Sequence, residues 1–237
     1  ARVRHAPPGN LLARLDRRLP ILTGGPRDQP PRLQTMRDAI GWSHDLLSAE
    51  ERIVFRRLAV FAGGATLEAA EAVCDPHGEL RLSVWEAVST LVDQSLLLQR
   101  DGEDGEPRFE MLQTVREFAL DHLELAGDAA ETHCRHAQYL LELVRPFASS
   151  LTFERGEVHR LLARMKAELN NLRAVLDWCD QAREVELALE LTGTLMMFWY
   201  YHGHLSEGAA RVERALAAAA GVEVPPLVRA RALVCQG

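Results

Sequence analysis

Ser43, His44 and Asp45 stand side by side in the chain and supply the residue types of a hydrolytic relay. Adjacent residues of a helix point in different directions, so these three cannot pass a proton along a line, and the run is a coincidence of letters. His133, Cys134 and His136 offer two imidazoles at i and i+3 to a metal ion. No further His, Cys or carboxylate cluster stands at ligand spacing, and a polar helix face explains the trio better than a metal site. Gly24-Gly25 and Gly63-Gly64 follow helical stripes, not strands, and read as helix stops instead of phosphate loops. The only lysine, Lys166, is followed by Ala, and no G-x-x-x-x-G-K-[ST] run occurs, so the loop that cradles nucleotide phosphates is absent from these residues. With no nucleophile–base pair, metal set or cofactor loop, the chain reads as a non-enzyme. The aromatic run Phe198, Trp199, Tyr200 and Tyr201, followed by His202, has two readings, a ligand groove or packing between helices. Packing is the better one, because helical aromatics most often fill cores.

The chain has 237 residues, 47% of them hydrophobic, enough for two domains that each bury a core. Its formal net charge of −7 and pI near 5.7 argue against a general electrostatic footprint for nucleic acid, which rests on clustered Lys and Arg, and leave open only a local basic patch. Cys74, Cys134, Cys179 and Cys235 are scattered, with no C-x-x-C pair, as expected of reduced thiols in a cytoplasmic protein. The first ten residues lack the apolar core of a signal peptide. The most apolar run, Leu187 to Tyr201, is interrupted by Glu190 and too short to span a bilayer, so no membrane insertion is expected.

The elements that must position any site follow from periodicity and punctuation. Leu11, Leu12, Leu15 and Leu19 paint one helical face, and the Gly- and Pro-rich stretch Thr23 to Arg32 is a linker. A helix is expected over Leu33–Leu47. Ser48 with Glu51 forms a capping box before the stripe Ile53, Val54, Phe55, Leu58 and Phe61, which runs to the Gly63-Gly64 stop. Thr66 caps a third helix, and Ser83 with Glu86 makes a second capping box for a fourth. Leu96–Leu98 and Arg108–Met111 read as strands around a turn-rich DGEDGEP tip, and Gln113–Leu125 as a helix closed by Gly127. Several helices followed by a short hairpin suggest a winged helix.

Beyond Gly127 only helices are expected, over about 128–145 (broken before Pro146), 155–164, 166–181, 184–201 and 205–220, with a last one after Pro225-Pro226. Short links and the ~34-residue rhythm of a two-helix repeat read as an α-solenoid of the TPR kind. Leu195, Trp199, Gly203, Leu205, Gly208, Val212 and Ala215 fall at that repeat's packing positions, while Met196 takes the place of a usual small residue. Arg229 to Gly237 reads as a helix interrupted mid-repeat, so the chain is expected to continue. The fold class is therefore mainly α: a winged-helix domain with a small β-hairpin, followed by a TPR-like α-solenoid.

The runs Ala39–Cys74, LVDQSLL at Leu91–Leu97, FEMLQTVREFAL at Phe109–Leu120, AELNNLRAVLDW at Ala167–Trp178 and FWYYHGHLSEG at Phe198–Gly208 carry a family resemblance. Together they resemble the portion following the ATPase core in STAND-class, NB-ARC-type bacterial regulators of the LuxR- and AfsR-like group. The resemblance implies that residues 1–24 are the tail of a helical domain, 25–32 a linker, 33–126 the winged helix, 127–165 connecting helices and 166–237 the sensor repeats. It also implies ATP or ADP bound by a core outside these residues, with no cofactor held in this chain. The family's Met-His-Asp motif, whose His touches the phosphates of ADP, matches Met111, Leu112 and Gln113 here. Leu112 cannot donate a hydrogen bond, and Arg116, one turn on, is the residue that could reach the same space. Implied partners are the ATPase core and a protein or small-ligand signal on the repeats, with Trp199, Tyr200, Tyr201 and His202 as the candidate contact residues.

The function so implied is a regulatory and sensor module of a transcriptional regulator, and the alternative is a DNA-binding winged-helix domain. DNA binding is disfavoured because the expected reading helix, Ser83–Asp93, carries Glu86 and Asp93 and no Lys or Arg.

Overall fold

The computed structural model describes residues 35–102, 105–149 and 155–234. The helix expected at residues 10–19, the linker and Cys235 lie outside them. The described helices are α1 (Met36–Asp45), α2 (Ala49–Leu58), α3 (Leu67–Cys74), α4 (Val84–Asp93), α5 (Gln113–Ala126), α6 (Ala129–Ser149), α7 (Arg155–Ala167), α8 (Leu169–Ala182), α9 (Val185–Tyr201), α10 (Leu205–Ala218) and α11 (Pro226–Val234), with a hairpin of β1 (Leu98–Asp101) and β2 (Pro107–Glu110) between α4 and α5. The chain is mainly helical with a small two-stranded sheet, and it divides into two compact units.

The first unit holds residues 35–59, 64–100 and 107–130. Its helices start where short polar side chains replace the missing backbone partners: Thr35, Ser48, Thr66 and Ser83 each accept the N–H three residues on. At Ser48 and Ser83 the bond is reciprocal, because the Glu51 and Glu86 carboxylates accept the cap residue's own N–H at 2.6 and 3.0 Å. α2 is the hub, packing on α3, α4 and α5, while α1 lies on α5. Val54, Phe55, Val73, Ala87, Val88, Leu91, Phe118 and Ala119 form the buried interior.

Ala65 makes an antiparallel bridge to Phe109, its N–H donating at 3.0 Å and its carbonyl accepting at 2.8 Å, which adds a third short segment to the hairpin. Gly64 makes the approach possible. Its φ is +73°, and an added Cβ would lie 2.6 Å from Glu110 Cγ and 2.9 Å from the Phe109 carbonyl oxygen. α2 therefore does not reach Gly63-Gly64 as expected; it ends at Leu58, and the glycine pair serves the sheet and the segment 60–63. Leu96 and Leu97 also depart from the expected strand. Both donate to the Leu91 carbonyl, at 2.9 and 3.1 Å, and so close α4, with Ser95 at a positive φ of 58° between them and the helix.

The second unit holds, of the described residues, 60–63, 101–102, 105–106, 131–149 and 155–234. α9 is its centre, packing on α8, α10 and α11, and it is apolar nearly all round, as expected of a helix between neighbours. Leu140, Val144, Met165, Leu172, Leu189, Leu195, Phe198 and Trp199 are among its core residues. Val60 and Phe61 are buried here, the Phe61 ring lies 4.4 Å from that of His136, and the Gly63 N–H donates to Asn171 Oδ1 at 2.8 Å. Pro146 does not break α6, contrary to expectation. Its missing N–H forfeits one bond in the last turn, and the helical backbone continues past it to Ser149. Pro226 opens α11 at the first helical position, where a missing N–H costs nothing.

Candidate functional site

The surface that a winged helix would offer to another macromolecule is built on α4. A pair of carboxylates shapes the turn before it: Asp75 accepts the N–H groups of Glu79 (2.8 Å) and Leu80 (3.3 Å), and Glu50 accepts those of Arg81 (3.2 Å) and Leu82 (2.9 Å). Val84, Ala87, Val88 and Leu91 face the interior, and Trp85, Glu86 and Asp93 face solvent. Trp85 is 52% exposed, and its ring meets Phe109 edge-on at 6.5 Å, which sets the start of α4 beside β2. The Ser83 hydroxyl and then the Ser83 N–H hold the Glu86 carboxyl below its ordinary pKa, so the exposed face is anionic at neutral pH.

Five arginines of this unit are turned to internal bonds, while Arg81, in the turn before α4, is exposed. Arg108 is buried and donates to the Gly64 carbonyl at 2.9 Å; Arg100 pairs with Glu110 at 3.0 Å. Arg56 places two donors on Asp128 (2.7 and 3.1 Å), and Arg57 bonds the Cys74 carbonyl at 2.6 Å. Arg52 bonds the carbonyls of His44 and Asp45, at 3.2 and 2.8 Å. A guanidinium engaged in this way must give up a bond to reach a phosphate.

Met111 is half-buried, Leu112 is 53% exposed at the start of α5 and makes no side-chain cap, and Gln113 lies exposed with Nε2 3.4 Å from Glu117 Oε1. Arg116, on the first turn of α5, is half-buried, and burial pushes its pKa below the ordinary arginine value. The aromatic run splits: Phe198 and Trp199 are fully buried, whereas Tyr200 and Tyr201 are 60% and 58% exposed, edge to face at 5.6 Å. Trp199 is thus a core residue and offers nothing to a partner. It packs on Gly208, where an added Cβ would lie 2.6 Å from Trp199 Cδ1. His202 lies half-buried against Phe198, ring centroids 4.6 Å apart, and burial, then His204 and Lys166, lower its pKa.

His133 stacks on Trp178 at 5.4 Å, and His136 is buried beside Phe61. Among the described residues no group of three His, Cys, Asp or Glu side chains could hold a metal ion, and no helix is long and apolar enough to cross a membrane. Cys74, Cys134 and Cys179 are free thiols, and burial, with Glu184 next in weight, pushes Cys179 up to about 12.

Two features escaped the sequence reading. One is a ladder of ion pairs: Arg173 grips Glu207 with two bonds (2.9 and 2.5 Å), Arg211 reaches Asp177 (2.8 Å) and Arg214 reaches Asp180 (3.5 Å). The first two pairs join residues 34 apart, and the third does too, 214 minus 180. Opposite charges at a constant 34-residue separation were the signal that could have revealed it. The other is a His44–His122 stack in the first unit, for which no local sequence signal exists.

Residues 47–124 match the family model for a winged helix-turn-helix domain. Over 209 residues, 88% of this chain, it is 39% identical to a Mycobacterium tuberculosis (strain H37Rv) protein named "Putative HTH-type transcriptional regulator", and equally to a Mycobacterium bovis protein of the same name. It is 33% identical over 137 residues to an uncharacterized protein of Mycobacterium tuberculosis, covering 56% of this chain and 34% of that one. The chain spans 23% of the length of the first relatives. No solved structure matches it. The matched residues hold α2, the Ala65 bridge segment, α3, α4, the two-stranded hairpin and most of α5, and the chain carries a winged helix-turn-helix domain and is homologous to mycobacterial proteins named as transcriptional regulators.

Proposed function

We propose that this chain is the non-catalytic regulatory and sensing part of a longer transcriptional regulator, in which the winged helix makes protein contacts instead of reading DNA. The observation that carries the reading is α4: the helix placed to enter a major groove exposes Trp85, Glu86 and Asp93 and has no Lys or Arg. Affinity for duplex DNA comes largely from neutralised phosphates, and two carboxylates on the approaching face work against it. An exposed tryptophan among polar residues instead has the make-up of a protein contact.

In this reading the winged helix restrains a STAND-type nucleotide-binding core outside these residues, which holds ATP or ADP. The second unit is a TPR-like array that receives a protein or small-ligand signal, with Tyr200 and Tyr201 as its exposed aromatics. The 34-residue spacing of the ion-pair ladder supports such a repeat. Signal binding shifts the on/off balance of the core only by its difference in affinity for the two states. Arg116 is the residue of this chain best placed by sequence to sense the nucleotide, and Arg116→Ala in the full-length protein then lowers ADP retention.

The second reading is DNA binding by the winged helix, which the family match and the relatives' printed names favour. The two are separated by titrating this chain with duplex DNA at low and moderate salt, and with the upstream part of the full-length protein. Tight binding to the upstream part without a DNA shift supports the restraint reading; a salt-dependent shift of duplex DNA that Trp85→Ala and added basic residues on α4 alter overturns it in favour of the second.

A further inference from the structure

His44, on the last turn of α1, is 8% exposed, and its ring stacks on that of His122 from α5 with centroids 4.5 Å apart and planes at 30°. Phe118 closes on both rings, 5.5 Å from His44 and 4.5 Å from His122, and Phe55 of α2 lies 5.5 Å from His44. Ile40 and His44 are the buried residues of α1, so the stack is one of the helix's two buried anchors. The remaining fastenings are ionic: Arg37 pairs with Asp121 at 2.9 Å and lies 5.4 Å over the Phe118 ring, and Arg52 of α2 holds the carbonyl end of α1.

We propose that this imidazole pair makes α1 an acid-released clamp, docked on α5 at neutral pH and freed when the pair takes up protons. Two stacked imidazoles can both be neutral, but two imidazolium ions at that separation repel strongly in a partly desolvated setting. The charged groups facing the pair are known from every element around it. Arg37 of α1 and Arg52 of α2 oppose protonation, and Asp45 of α1 and Asp121 of α5 favour it. The two carboxylates are poorly placed to win. Asp45 is 79% exposed and 3.8 Å from His44 Nδ1, and Asp121 is already engaged by Arg37.

Burial, then the partner imidazole, lowers the pKa of His44; burial, then Arg37, lowers that of His122. A histidine whose folded pKa lies below its free value of 6.5 binds its proton more readily once released. Docking is therefore complete above about pH 6.5 and weakens as the pH falls below it, until the folded-state pKa values are passed. α1 is the first described helix of the chain, so its release changes how whatever precedes it is tethered to the winged helix.

The test is hydrogen exchange on the whole chain, read as protection factors for α1 amides between pH 7.5 and 5.5, with α2 and α4 amides as the control for global unfolding. Protection of α1 is expected to fall by up to about tenfold per pH unit for each proton taken up on release, while α2 and α4 hold. His122→Phe, which keeps a ring in the stack but removes one of the two titrating groups, is expected to reduce the slope to that of His44 alone. A wild-type α1 whose protection does not change over this range overturns the proposal, and so does an undiminished slope in His122→Phe. Should that variant fail to dock α1 at pH 7.5, titration of the wild-type imidazoles by NMR decides. Both must titrate below 6.5, and either one at or above that value overturns the proposal.

Discussion

The two units begin their helices differently. In the first, α1 to α4 each start on a Thr or Ser whose oxygen accepts a backbone N–H, while in the second the residues before α8, α9 and α10 are Glu168, Glu184 and His204, none making a side-chain cap. A capped start fixes a short helix from within its own few residues, as a small domain of helices near ten residues long needs. An uncapped start leaves the boundary to the stack, where a helix such as α9 is set by what lies on either side of it. The first four helices of the winged-helix unit are thus specified by local chemistry, while α5, which follows Leu112 without a side-chain cap, and the helices of the array depend on contacts between helices.

The largest effect should come from removing a packing contact in the array. Trp199→Ala deletes a fully buried side chain seated on Gly208 and should cost about 3–5 kcal/mol, read as lost exchange protection in α9 and α10 with the first unit unaffected. Equal loss in both units would mean that they unfold as one cooperative structure. The second effect is in the first unit. Gly64→Ala must strain a residue at φ +73° and press a methyl group on the backbone of Phe109, which cannot yield as a flexible side chain would. A cost of about 1–3 kcal/mol, concentrated in the Ala65–Phe109 bridge and the hairpin, is expected from exchange or denaturant unfolding.

That division also explains what could be read from sequence. The capping boxes at Ser48 and Ser83, the Thr66 cap and the Gly127 stop lie within a few residues of what they control, and each stands where its residues indicated. Distant partners leave no such trace. Ala65 pairs with Phe109, His44 stacks on His122 and Gly63 bonds Asn171, and neither periodicity nor turn chemistry joins residues so far apart. Pro146 misled for a related reason: a proline signals an end, but one lost bond near the end of a long helix is small beside the packing of Leu140, Leu141 and Val144. Of the candidate site, α4 and its charge were legible, because a helix's exposed face follows from its stripe. The split of the aromatic run was not, since α9 is apolar nearly all round and gives no outward face to read.

A cap should matter next. Ser83→Ala removes the oxygen that accepts the Glu86 N–H at 3.2 Å and should cost about 1 kcal/mol, seen as fraying of α4 from its first turn. Acid should act in the same place. The Ser83 hydroxyl and N–H hold Glu86 below its ordinary 4.5, so its contribution is present above that pH and lost as the pH falls through the folded value. Glu86→Gln is expected to remove that acid sensitivity of α4. If Ser83→Ala leaves α4 unchanged, the capped unit does not depend on its caps, and the contrast with the array loses its physical basis.

The smallest effect should be in the ladder, where the array comes nearest to having local rules of its own. The bond from Arg173, then partial burial, then the charges of Arg173 and Arg211 act on Glu207, and the net result is a carboxyl held below 4.5. The two-bond grip between Arg173 and Glu207, at 34% and 26% exposure, should show a coupling of about 0.5–1 kcal/mol in a double-mutant cycle with Ala, reduced by salt. Arg214 and Asp180, at 3.5 Å with 56% and 34% exposure, should show less than this. A graded pair of values marks the ladder as a register device between α8 and α10, trimming a structure that packing already holds. A coupling at Arg173 as large as the Trp199→Ala loss would reverse the comparison, since charge and not burial would then be setting the order of the helices.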